Sequence, residues 1–122
     1  TDASSSGIGA ALLQEHDGLL HPVLYASRKL LDRETRYSTV ERECLAVVWS
    51  VTKFSRYLYG QDFILQTDHK PLLYLKQSVH KNARLMRWSL ALQEFRFRVQ
   101  SISGSANSHA DVLSRCKIDQ LV

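Results

Sequence analysis

The dipeptide Thr-Asp occurs twice, in "TDASSSG" (Thr1 to Gly7) and in "TDHKPLL" (Thr67 to Leu73), each time where an extended run gives way to a polar turn or a helix start. Asp2 then lies on a first strand and Asp68 closes a later one. Two more carboxylates join them, Asp111 in the first turn of a short final helix and Glu43 on a long one. On a helical wheel Glu43 sits about 60° from Val40, at the edge of an apolar stripe, while Arg42 faces away. A carboxylate aimed towards a sheet is costly to bury unpaired. If Asp2 and Asp68 are on adjacent strands nearby, the cation that Glu43 needs is most simply a metal. Oxygen-only ligation suits a hard cation such as Mg²⁺. Two such ions about 3.5–4 Å apart can activate a water and stabilise the leaving oxygen in phosphodiester hydrolysis.

Each acidic residue also has a plainer reading. Asp111 is the third residue of a capping box begun by Ser108, Asp68 is a helix-start residue ahead of Pro71, and Asp2 alone carries no signal. Glu41, close to Glu43, reads as a cap rather than a ligand. Periodicity does not prove that the four carboxylates converge.

The elements that must position them follow from pattern. "SSSG" supplies turn chemistry after a first strand, "IGAALLQEHDG" is a second extended run ending in the hairpin signal Asp17-Gly18, and "LLHPVLYASRKL" is a third. "YSTVERECLAVVWSVTKFSRYLYG" opens on a Ser38/Glu41 capping box and ends near Gly60. Val40, Cys44, Val47, Val48, Val51, Phe54 and Leu58 form one stripe of this helix, with Leu45 and Trp49 nearly opposite. A helix apolar on two sides is sandwiched, with a sheet beneath and another helix above. "QDFILQTD" reads as a strand, "PLLYLK" and "NARLMRWSLALQEF" as helices, "FRFRVQSI" as a half-exposed strand and "NSHADVLSR" as a last helix. The order predicts a mixed sheet with helices packed on it, in one domain.

Composition narrows the class. The chain has 122 residues, 44% of them apolar, and a net charge of +4. No run of about 18 apolar residues offers a membrane span, and the polar, acidic start does not read as a signal peptide, although a chain that opens in mid-pattern could have lost one. Cys44 and Cys116 are not closely spaced, which reads as reduced thiols in an intracellular setting. His16, His21, His69, His80 and His109 lack zinc-ligand spacing. The basic balance leans mildly towards a polyanionic partner.

Taken together, "TDASSSGIGAALLQ", "YASRKL", "RYSTVERECLAVVWSVTKFSRYLYG", "FILQTDHKPLLYL", "NARLMRWSLALQEF" and "ANSHADVLSR" resemble the ribonuclease H domain of a gypsy-type LTR retrotransposon reverse transcriptase, in order from Thr1 to Arg115. The resemblance implies an α/β RNase H-like fold: a mixed five-stranded sheet, its first three strands antiparallel, with helices packed on it. It implies a domain over residues 1–115 and a tail over 116–122. Asp2, Glu43, Asp68 and Asp111 match the family's four acidic positions, which bind two Mg²⁺ ions, with Mn²⁺ a possible substitute. The implied reaction is endonucleolytic cleavage of the RNA strand of an RNA–DNA hybrid, leaving a 3′-hydroxyl and a 5′-phosphate. The implied partners are that hybrid and the polymerase part of the same polyprotein, with no membrane. The implied location is cytoplasmic, in virus-like particles, or nuclear for a domesticated copy.

The chain departs from the family pattern at three places. His109 stands beside Asp111, further along than the histidine that many relatives carry before the last helix, so it is an auxiliary candidate set against a solvated surface histidine. "QSVHK" leaves no room for the basic loop with which cellular enzymes grip the hybrid. Apolar residues that precede Thr-Asp in the family are missing, so a truncated first strand and a piece of a longer polyprotein are expected. Arg28, Lys29, Arg36, Lys70, Lys81, Arg84 and Arg87 are candidates for sequence-indifferent phosphate contacts, each set against a solvated surface charge. The competing functional class is a catalytically inactive tether, connection or host-domesticated binding module on the same fold. Such modules usually lose acidic ligands, and all four are retained here. Integrase-like strand transfer fits poorly, because Glu43 lies between the two strand aspartates in the sequence.

Overall fold

Asp17 and Gly18 both adopt left-handed backbone, with φ of 54° and 77°, the conformation a two-residue hairpin turn requires. They join β2 (Gly7–His16) to β3 (Leu19–Lys29) in an antiparallel pair. A register shift between Leu12 and Leu13 lies opposite the Leu24-to-Pro22 step of β3, where proline has no N–H to give the ladder. β1 (Asp2–Ala3) pairs on the other edge of β2, with Asp2 opposite Gly9 and Ala3 opposite Ile8. The structure, a computed structural model, describes residues 1–100, the side chain of residue 69 excepted. The expected final helix with His109 and Asp111, and the expected tail, lie outside the described residues.

A short helix α1 (Asp32–Thr35), not anticipated from the pattern, leads into α2 (Thr39–Lys53). Ser38 Oγ accepts from the Glu41 N–H at 3.2 Å, completing the expected capping box. The long helix does not run on to Gly60. At Phe54 the backbone leaves helical geometry (φ −96°, ψ 15°), and a separate turn α3 (Ser55–Leu58) follows. Gly60 then takes φ 73°, which ends the segment.

β4 (Asp62–Gln66) and β5 (Arg96–Gln100) pair in parallel, with α4 (His69–Ser78) and α5 (Ala83–Gln93) between them in the chain. α4 begins two residues before Pro71, so that proline sits in its first turn, where its missing N–H does no harm. Asn82 caps α5 by accepting from the Leu85 N–H at 2.9 Å.

One continuous five-stranded sheet was expected. The described residues instead form a three-stranded antiparallel sheet, β1-β2-β3, and a two-stranded parallel one, β4-β5. At their facing edges the Thr1 nitrogen donates to the Gln66 carbonyl at 3.3 Å. The two residues of β1 do not span enough of β4 to form a ladder. Between β2 and β4 lies a cleft of about 610 Å³, floored by Val51, Phe54, Leu58 and Leu65.

Two buried clusters hold the layers together. The larger joins Ala10, Cys44, Val47, Val51, Phe54, Leu65, Leu75, Leu85 and Leu92, and the smaller joins Ile8, Leu30, Leu45 and Ala46. Trp88 packs against both clusters and Trp49 against the smaller one. Leu85 is fully buried where α5 meets this core. Leu85→Ala is therefore expected to cost about 3 kcal/mol in urea unfolding. A loss below about 1 kcal/mol would show that α5 is not docked as described.

Candidate active site

Two glutamates two residues apart on α2 have opposite electrostatic fates. Burial pushes Glu41 up, but the Ser38 hydroxyl, its N–H and the Arg84 guanidinium outweigh it and hold Glu41 below the usual range. Among the described residues, Glu43 has no such donors. Burial raises it, and the nearby charges of Asp68 and then Asp2 raise it further, with Lys70 and Arg42 offsetting only part. The helix thus uses one glutamate as a cap and turns the other towards two aspartates.

The backbone explains that meeting. Asp2 is carried on β1, which packs against α2. The Thr1–Gln66 bond brings β1 beside the end of β4, and β4 delivers Asp68 two residues beyond its last residue. Asp68 is the N-cap of α4, its Oδ1 accepting from the Lys70 N–H at 3.0 Å. Its helix-start role and its place in the acidic group are therefore compatible, because a carboxylate has more acceptor sites than one cap bond uses. Asp2 and Glu43 are half-buried and Asp68 is exposed.

Glu43 is thus brought into electrostatic range of both Asp68 and Asp2, whereas Asp111 and the auxiliary candidate His109 lie outside the described residues. Among the described residues, no three His, Cys, Asp or Glu side chains form a group that could by themselves hold a metal ion. The donor chemistry of the three carboxylates suits a hard divalent cation: oxygen ligands only, and like charges whose repulsion a cation would relieve.

The seven basic candidates divide into two kinds. Arg28 forms a two-pronged pair with the buried Glu34 at 2.7 and 3.0 Å and lies over the Trp49 ring. Arg84 pairs with Glu41 and stacks 4.2 Å from the Tyr37 ring centroid. Both guanidinium groups tie elements together. Lys29, Arg36, Lys70, Lys81 and Arg87 are exposed. The link from α4 to α5 is confined to 79–82, as the short "QSVHK" segment implied. Sequence reasoning missed α1 and its Glu34, although Glu34 three residues after Leu31 is a cap-like spacing; its carboxylate accepts from the Leu31 N–H at 2.8 Å. It also missed the bond from Cys44 to the Pro71 carbonyl, for which no sequence signal exists. Burial pushes the Cys44 thiol up to about 12, so it stays protonated, in keeping with a buried, free cysteine. Among the described residues, no helix is long and apolar enough to cross a membrane.

Antiparallel β1–β3, a central capped helix and an acidic group at the β1/β4 edge define an α/β domain of the RNase H-like class. The chain belongs to the RNase H-like domain family found in reverse transcriptases, which it matches over residues 1–95. It is 42% identical over 120 residues to the retrovirus-related Pol polyprotein from transposon 297 of Drosophila melanogaster, covering 98% of this chain and 11% of that protein. It is 43% identical over 121 residues to the Pol polyprotein from transposon 412 of the same fly, covering 99% and 10%. The gypsy Pol polyprotein is 39% identical over 122 residues, covering 99% and 11%. The chain thus spans about a tenth of the length of these curated relatives.

The raised Glu43 has a consequence for stability. Folded protein binds this proton more tightly than unfolded chain, so the associated stability is full below the ordinary glutamate value and is lost as pH rises through the raised one. Without divalent metal at neutral pH, Glu43→Gln is expected to raise the melting temperature by about 2–4 °C. The gain should vanish below about pH 4, where the wild-type carboxyl is protonated. An unchanged or lower melting point at neutral pH would mean that Glu43 does not feel Asp2 and Asp68.

Proposed function

We propose that this chain is a metal-dependent ribonuclease H, which cleaves the RNA strand of RNA–DNA hybrids endonucleolytically during reverse transcription and leaves 3′-hydroxyl and 5′-phosphate ends. The observation that carries the proposal is the half-buried Glu43, made harder to ionise by Asp68 and Asp2, in a chain of the RNase H-like family. In this reading Asp2, Glu43, Asp68 and Asp111 are the catalytic carboxylates, and they hold two Mg²⁺ ions, for which Mn²⁺ can substitute. Bound divalent ions supply an activated water and stabilisation of the leaving oxygen. The protein contributes rigid placement: Asp2 on a strand, Glu43 in mid-helix and Asp68 fixed as a helix cap. No side chain needs to form a covalent bond to the substrate.

Exposed Lys29, Arg36, Lys70, Lys81 and Arg87 contact phosphates, and the 2′-hydroxyl and groove shape distinguish RNA from DNA. With the short 79–82 connection, this domain grips the hybrid weakly, and the polymerase part of the polyprotein supplies most of the affinity. The domain occupies residues 1–115, with 116–122 as a tail, and it works in cytoplasmic virus-like particles of the element.

Two measurements test this. An end-labelled RNA–DNA hybrid should be cut in its RNA strand only when Mg²⁺ is present, and Glu43→Gln should lower the rate by about 10³-fold or more. A wild-type chain that binds hybrid with Mg²⁺ and never cuts it would replace this proposal with the inactive binding module. Separately, Lys70→Ala and Arg87→Ala should each weaken hybrid binding whatever its sequence and reduce the slope of log K against log salt by about one. Unchanged salt slopes would remove these two residues from the interface.

A further inference from the structure

Cys44 follows Glu43 on α2, and Pro71 stands three residues beyond Asp68 in the first turn of α4. The Cys44 thiol donates to the Pro71 carbonyl at 3.0 Å, and both residues are fully buried. Each end of this bond is rigidly joined to a carboxylate. On one side it is a single helical step back to Glu43. On the other, the proline ring fixes the first turn of α4, and the Asp68 side chain is locked to that turn by its bond to the Lys70 N–H at 3.0 Å. The Asp68 charge makes Glu43 harder to ionise, so the two carboxylates repel each other across this contact between α2 and α4.

We propose that Cys44 is a positioning residue of the acidic site, its buried thiol-to-carbonyl bond setting the separation between Glu43 and Asp68. It touches neither substrate nor metal. It acts by anchoring the first turn of α4 to α2 against the repulsion of the two carboxylates. The proposal rests on the metal-dependent reading above only in the second part of its test.

The first part needs no metal. Glu43→Gln, Asp68→Asn and the double variant are melted in the Cys44, Cys44→Ala, Cys44→Val and Cys44→Ser backgrounds. Asparagine keeps the helix cap, and valine fills the space without a donor. With Cys44 present, the double variant should gain less than the sum of the single gains, because either neutralisation relieves the same repulsion. Alanine and valine should both make the gains additive, and serine, which keeps a donor, should restore the shortfall. An equal fall in all melting points with the shortfall intact would show a merely structural cysteine and overturn the proposal. The second part is the Mg²⁺ midpoint for thermal stabilisation, which Cys44→Ala should raise about tenfold and Cys44→Ser much less. Wild-type protein that Mg²⁺ does not stabilise would sink the metal reading, while the first part still decides the role of Cys44.

Discussion

The domain depends on a helix with almost no free side. α2 buries Cys44, Val47, Val48 and Val51 in one cluster and Leu45 and Ala46 in another, and it packs against β1, β2, α4 and α5. Because the two clusters share this helix, its rotation and height are determined by packing on both sides. Interiors packed to crystal-like density do not allow such a helix to turn a few degrees to suit a surface residue. Glu43 is therefore delivered to its position by apolar contacts that have nothing to do with its charge.

That delivery sets packing against electrostatics. Left alone, a half-buried carboxylate beside two aspartates would move away or take up a proton. The fold counters with ties that surround the acidic group: the Thr1–Gln66 bond at the β1/β4 edge, the Asp68 cap and the Cys44–Pro71 bond between helices. Arg84 adds another, reaching from α5 to Glu41 while stacking on Tyr37. Charges held close at some cost in stability are the usual price of a prepared site. Here the cost falls on the few residues whose neutralisation should make the domain more robust and less capable.

Local signals were legible wherever a short stretch controls its own backbone. Ser38 with Glu41, Asp17-Gly18 and the alternation of Phe95, Phe97 and Val99 each specify their element with little help. The pattern failed where distant residues intervene. The apolar stripe continues through Phe54 to Leu58, and both side chains reach the same core, yet the helix breaks at Phe54 and Leu58 is carried on a separate turn. The single sheet inferred from strand order became two among the described residues, because strand order does not state how long each pairing runs. Arg28 and Arg84 looked like surface charges, and only the fold showed Glu34 and Glu41 waiting for them.

The sequence by itself determined most of the described elements, though neither α1 nor the break at Phe54. It marked which glutamate caps α2 and which carboxylates have the right chemistry, since capping, turn geometry and periodicity act over a few residues. It also carried the family motifs in order. Tertiary structure alone decided that Glu43 feels the charges of both Asp68 and Asp2 and that Cys44 on α2 is tied to Pro71 on α4. Those residues are dozens of positions apart in the chain. Electrostatic coupling and a buried hydrogen bond depend on distance in space, which comes into being only when the core closes around α2.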